Sequence, residues 1–193
     1  MLTPDAPPPP VLGACTVLTE AGEAVSLGEL WAGQATLLWF TRHFGCIGCS
    51  EGVSLLAPHL AELARLDVRT VLVGCGAHPF ITPFRTRKNL LHAPIECVTD
   101  ESLAVQRAVG LGYGWWGGFG PIGLGQMARA FTQGHVSGPV EGDPRQQAGA
   151  VFLDHRGVVR LVHRSRTLGD HPKPDQILRV ALAAWLAAHP GQG

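Results

Sequence analysis

The sequence predicts an α/β domain in which parallel strands joined by helices carry an antiparallel hairpin at one side. Three observations predict it. Residues 35–41 (ATLLWFT) are a continuous apolar run, followed by an apolar stripe at positions 46, 49, 53, 56, 60 and 63. That is a strand buried on both faces feeding a helix. Two more strand-type runs, 68–75 and 94–99, are each followed by a helical segment. Near the end, 150–154 and 158–164 are joined by His155-Arg156-Gly157, a hairpin connection.

In chain order, residues 1–10 (MLTPDAPPPP) carry too much Pro for helix or central strand and read as a flexible or polyproline lead-in. A single domain then runs over 11–193, since 193 residues suit one domain of ordinary size. Residues 14–19 and 24–26 pair as a short hairpin, and 27–31 make one helical turn. The helix opening at Cys46 contains Pro58, which kinks it without ending it, because the stripe continues to Leu63. Residues 79–89 read as helix, and 101–109 as a short helix closed by Gly110. The segment 112–125 (GYGWWGGFGPIGLG) is Gly-rich, 126–133 is helical and 140–147 is a polar loop. The final helix, 175–188, places Ile177, Ala181, Ala184, Trp185 and Ala188 on one face.

Composition narrows the function classes. Fifteen Lys and Arg balance fifteen Asp and Glu, so neither nucleic acid nor an anionic membrane is the expected partner. The longest apolar run, 180–188, is half a bilayer crossing, and no basic-then-apolar leader is visible. Five cysteines make an odd number, which argues for a reducing compartment over a secreted disulfide framework. A cytoplasmic location is expected. Thirteen of the fifteen bases are Arg, which points to a GC-rich genome.

The chemistry concentrates in Cys46-Ile47-Gly48-Cys49, placed where a buried strand gives way to a helix. Unsatisfied N–H groups and the dipole at that helix start favour a thiolate over a thiol. Spacing i, i+3 puts both sulfurs on one face, so a disulfide forms with little backbone movement. The pair is then a two-electron couple that needs no cofactor. Arg42 and His43 just upstream add positive charge or a proton shuttle. Zinc would need four ligands; Cys15, Cys75 and Cys97 are isolated and no second Cys or His pair occurs, so no metal is expected. A merely structural pair stays open. Cys75 and Cys97 lie in apolar strand patterns and read as core residues, with Cys75 the alternative as a resolving thiol.

ATLLWF followed by RHFGCIGC resembles the thioredoxin-like superfamily. VRTVLVGCG, IECVTDESLAVQRAVGL, the WWGG loop and DPRQQAGAVFLDHRGVVRLVHRSRTLGDH are similar, more narrowly, to the peroxiredoxin-like branch of the alkyl hydroperoxide reductase/thiol-specific antioxidant family. The resemblance covers about residues 11–188. It implies a thioredoxin-like three-layer sandwich with a central mixed sheet, an N-terminal extension and an insertion before the last hairpin. It implies thiol-based reduction of a peroxide, with recycling by an external thioredoxin- or glutathione-type thiol donor. A homodimer is compatible with it.

The chain departs from that family's pattern. With Cys49 in the peroxidatic place, Arg42 stands where Pro is expected and Cys46 where Thr is; with Cys46 there, Trp39 and His43 fill those places. The family's second Arg would fall near Ala148, with Arg145 and Arg42 as replacements, and the Pro that faces the Cys pair in thioredoxins would fall near Ala150. Alignment logic thus favours Cys49 as the attacking thiol. Helix-terminus physics favours Cys46, as the more exposed and lower-pKa sulfur. The expected cycle has Cys46 attack and Cys49 resolve. The runner-up activity is thioredoxin-type reduction of protein disulfides, and a non-catalytic binding or redox-sensing module is the third reading.

Other features carry weaker expectations. Trp115, Trp116 and Phe119 plug the core edge, form a lid over the site or make an oligomer surface. Arg160, Val162 and Arg164 share one face of a strand. Arg166, Asp170 and His171 form an ion-paired turn or part of the site.

Overall fold

A computed structural model describes residues 2–115, 120–134 and 140–191. Among them, seven strands form one mixed sheet in the order β2-β1-β5-β4-β3-β6-β7. The strands are β1 (Thr16–Thr19), β2 (Ala24–Ser26), β3 (Ala35–Phe40), β4 (Val68–Gly74), β5 (Glu96–Thr99), β6 (Gly149–Leu153) and β7 (Val159–Arg164). The parallel pairings are β3–β4 and β4–β5. The hairpins β1–β2 and β6–β7 extend the two sides antiparallel. The helices are α1 (Pro10–Gly13), α2 (Ile47–Leu56), α3 (Leu60–Arg65), α4 (Ile81–Arg87), α5 (Ala104–Val109), α6 (Pro121–Thr132) and α7 (Pro174–Ala188).

The continuous apolar runs arise because both sheet faces are covered. Leu37 and Trp39 of β3, Leu72 of β4 and Phe152 of β6 face one cluster, built with residues of α2, α3, α4 and α7. Their neighbours Leu38, Phe40, Val71, Val73 and Val151 face the other, built with residues of α1 and α5. Each fully buried Leu or Phe contributes about 1.5–3 kcal/mol relative to exposure. The α/β sandwich with a central mixed sheet is therefore as expected, with α6 in the insertion before the last hairpin.

Pro58 lies in a 3-10 turn, Ala57–His59, that joins α2 to α3, so the stripe is bent without being interrupted. The carboxylate of Asp100 accepts from the backbone N–H groups of Ser102 and Val105, which starts α5. Gly110, at φ +77, ends it.

Two expectations need correction, at 126–133 and at Trp115. The helix placed at 126–133 begins five residues earlier, at Pro121, a residue suited to a first helical position. The polar loop 140–147 is a loop as expected, with Glu141, Gln146 and Gln147 buried and Val140 exposed. It pairs with the Gly-rich segment through Gly114 N to Arg145 O and Gln147 N to Gly112 O. Trp115 is 54% exposed and does not plug the core edge; Trp116 and Phe119 lie outside the described residues. Trp185 of α7 is half-buried and stacks on His189, while Ile177, Ala181 and Ala184 carry the buried face.

The first residues lie along β7. Asp5 N donates to Val159 O, Val159 N donates to Ala6 O, and Asp5 pairs with Arg160 at 2.6 Å. Leu2 is buried. Composition alone does not encode these contacts.

Candidate active site

At the carboxyl end of β3 the chain turns into α2. Thr41 N still bonds Val73 O, and then Arg42, His43 and Phe44 form a buried loop. Phe44 pins it. Its ring sits so close over β4 that a Cβ at Gly74 would stand 2.3 Å from its Cζ. It also packs on Phe84, with ring centroids 5.3 Å apart. Phe44 N donates to Glu141 O, and Arg87 of α4 pairs with the buried Glu141 carboxylate at 3.1 Å. The interior 140–147 segment is therefore the floor of this loop, a role its polarity conceals.

Cys46 is the N-cap residue of α2, and its Sγ accepts from Cys49 N at 3.4 Å. A thiol here replaces the usual capping oxygen, so the orphan N–H groups of the first turn are aimed at sulfur. Cys49 Sγ accepts from Arg42 N at 3.0 Å. Cys75, at the end of β4, donates its S–H to Arg42 O. The Arg42 guanidinium, 2% exposed, donates through Nη2 to Pro144 O at 2.5 Å. Its Nε and Nη1 are buried without a hydrogen-bond partner among the described residues.

These contacts split the two thiols. Interaction with the Cys49 side chain, then the Arg42 charge and the first-turn N–H groups, holds Cys46 below the ordinary thiol range despite burial. Burial, and that same interaction, push Cys49 well up. Burial takes Cys75 up to about 12, an unreactive thiol at neutral pH. The expectation that Cys46 is the more exposed sulfur is incorrect: Cys46 is 5% and Cys49 4% exposed. The distinction between them is electrostatic.

His43 is likewise buried, and burial together with Arg42 lowers its pKa to about 4. It is neutral at pH 7. The unfolded chain takes up a proton at this His near pH 6.5 and the folded chain only near 4. Its neutral burial is therefore compatible with full stability above about pH 6.5 and costs stability as pH falls towards 4. The loss is expected to be on the order of 3 kcal/mol. Urea unfolding at pH 7.5 and pH 4.5 measures it, and His43→Gln should flatten the slope. His171, whose pKa burial also lowers, adds in the same direction.

Of the four sequence-predicted residues, Arg42, Cys46 and Cys49 come together, while His43 joins them through its backbone carbonyl, which accepts from Cys46 N, and its side chain lies toward Gly142. Arg145 does not join them through its guanidinium, which is bound by Asp143 at 2.9 Å and lies over Tyr113. Asp170 pairs with His163 at 3.1 Å and caps Arg166 N, an ion-paired turn. His171 instead reaches Glu51 on α2, at 3.3 Å. Sequence reasoning missed Glu51, Arg129 and Lys88. Lys88 Nζ donates to Ser50 Oγ beside Cys49, and burial lowers the Lys88 pKa. A buried Glu within a predicted apolar helix was the one available signal.

A cleft of about 600 Å³ is lined by Cys75, Gly142, Asp143, Arg145 and Trp115. Another, of about 850 Å³, is lined by Gly112, Tyr113, Gln147 and His163 to Arg166. Neither reaches Cys46 or Cys49. Among the described residues no three His, Cys, Asp or Glu side chains converge as metal ligands. No helix among them is long and apolar enough to cross a membrane.

Residues 55–167 match the family model described as AhpC/TSA antioxidant enzyme. The matched segment begins just after the Cys pair. The chain is similar to peroxiredoxin-like 2C of Mus musculus, 28% identical over 174 residues, covering 85% of this chain and 76% of that protein. Its fold matches the bacterioferritin comigratory protein of Xanthomonas campestris, whose structures concern alkyl peroxide reduction. The TM-score is 0.67 at 15% identity, over 95% of this chain and 99% of that one. It also matches reduced Prx3 of Vibrio vulnificus in complex with hydrogen peroxide, with TM-score 0.65 at 17% identity, over 94% and 99%. At such identities the likeness is one of fold.

Proposed function

The chain belongs to the AhpC/TSA antioxidant enzyme family, and on that premise we propose that it is a thiol peroxidase working through Cys46 and Cys49. The observation that carries this reading is the polarised pair: Cys46 accepts hydrogen bonds at a helix start beside a buried Arg42 with two nitrogens unpartnered among the described residues. An attacking sulfur needs that asymmetry.

In the first step the Cys46 thiolate attacks the outer peroxide oxygen. An S–O bond forms, the O–O bond breaks, and the alkoxide or hydroxide leaves with a proton from the medium. Cys46 becomes a sulfenic acid. The Nε and Nη1 of Arg42 suit the charge that develops on the departing oxygen. In the second step Cys49 displaces the sulfenic hydroxyl, giving a disulfide and water. An external thiol donor, one thioredoxin-type dithiol or two glutathione-type monothiols, then reduces the disulfide by exchange and is itself oxidised to a disulfide. Reduction of protein disulfides ranks second, because Cys46 at 5% exposure is poorly placed for a macromolecular disulfide.

The test is stopped-flow oxidation of the reduced protein by hydrogen peroxide, with thiols mapped by mass spectrometry. Loss of two thiols at Cys46 and Cys49, far faster than free cysteine reacts, is expected. A rate equal to free cysteine overturns the reading.

A further inference from the structure

Two buried thiols need a way in. Over Cys46 and Cys49 lie Met127 and Ala130 of α6 and Leu168 of the loop after β7. Leu168 is seated on the first turn of α2, where a Cβ at Gly48 would stand 2.6 Å from both its side chain and its carbonyl oxygen. This cover is built from two segments far from α2 in sequence, and one carboxylate ties both to it. Glu51, two residues past Cys49, is 6% exposed. Its Oε1 accepts from Arg129 Nη2 of α6 at 2.7 Å, and its Oε2 faces His171 Nε2 at 3.3 Å. Gly52 admits the His171 ring, since a Cβ there would stand 2.8 Å from Nδ1. Gln126 Oε1 accepts from Gly169 N at 2.9 Å, joining the two segments to each other.

Apolar burial does little to hold α6. Of its residues only Gly123 and Ala130 are buried, while Ile122, Leu124 and Phe131 are 68%, 53% and 67% exposed. An element with so little buried apolar area opens locally at low cost. The closed state also depends on Glu51 having its partners, because a buried carboxylate deprived of them is strongly unfavourable. In the open state water solvates it instead.

We propose that Glu51 is a positioning residue that clasps α6 and the 168–171 loop over the dithiol and so sets access to Cys46 by size. Small hydroperoxides reach the sulfur through minor fluctuations of the closed cover. Bulky partners, the reductant among them, reach it only when the clasp is released. The roles given to the two kinds of partner rest on the peroxidase reading; the clasp itself does not.

The experiment compares two alkylating reagents on the reduced full chain, iodoacetamide and fluorescein maleimide, with Cys46 modification followed by mass spectrometry. Iodoacetamide reports any change in intrinsic thiol reactivity. Arg129→Ala and Glu51→Gln should each accelerate the bulky maleimide by about tenfold, with iodoacetamide changed by less than about threefold. Arg129→Lys, which keeps the charge, should return most of the protection. Equal acceleration of both reagents, or no acceleration of the maleimide, overturns the proposal. Peroxide takes no part in this assay. A chain inert to peroxide can therefore still show the clasp, and an active peroxidase can lack it.

Discussion

Cys46→Ser is expected to abolish the fast reaction with hydrogen peroxide, lowering its rate by about a thousandfold or more, as removal of a nucleophile does elsewhere. Cys49→Ser should behave in the opposite way. A serine hydroxyl at 49 keeps a hydrogen-bonding side chain beside Cys46, so the first oxidation should stay within about tenfold of the parent, the worth of one altered hydrogen bond. The cycle should then stop at the sulfenic acid, which dimedone traps and mass spectrometry locates. The argument rests on the opposite directions in which the surroundings move the two thiols, Cys46 down at the helix start and Cys49 up through burial. If Cys46→Ser retains the fast phase and Cys49→Ser loses it, the roles are reversed.

The second large effect is expected at Arg42. Its guanidinium is buried, yet among the described residues only Nη2 has a partner. Two of its donors therefore have no structural bond to satisfy within that set, and its charge favours the Cys46 thiolate. Arg42→Met keeps an unbranched apolar stem out to about the Nε position and leaves the backbone bonds to Cys49 and Cys75 in place. It removes charge that favours the Cys46 thiolate and donors that suit the leaving oxygen. The rate with hydrogen peroxide should fall by about a hundred- to a thousandfold, the range for loss of a preorganised donor. The pH profile should also move. The rate follows the thiolate fraction, so it rises with pH through the Cys46 pKa, and without Arg42 that rise should occur at higher pH. Stopped-flow rates between pH 5 and 9 read both effects. An unchanged rate and profile would remove Arg42 from the mechanism.

The parts legible in the sequence were those set by local periodicity. β3 and β4 announce themselves as apolar runs because both their faces are covered, and the 3,4 stripe from Cys46 to Leu63 survives Pro58 because the bend occurs in a 3-10 turn. The Cys pair at a helix start was legible for the same reason. The beginning of α6 was not, since its buried residues are Gly123 and Ala130, which leave no hydrophobic stripe. Nor was the environment of the pair. Glu51 and His171 are 120 positions apart, and Arg42 meets Pro144 across 102. No local pattern encodes a contact of that span. The equal burial of Cys46 and Cys49 follows from that distant cover, so exposure could not be inferred from position on the helix alone.

The contact of residues 5 and 6 with Val159 bears on how the molecules behave towards one another. An open sheet has two edges, and unpaired backbone groups along an edge invite strand addition by a second chain. Here one edge is β2, only three residues long, and the other, β7, has both backbone groups of Val159 occupied by the chain's own start. With as many acidic as basic residues, the protein has little mutual repulsion to keep copies apart. Strand addition by a second copy therefore meets a β2 edge too short to template it and a β7 edge whose first residue is already paired.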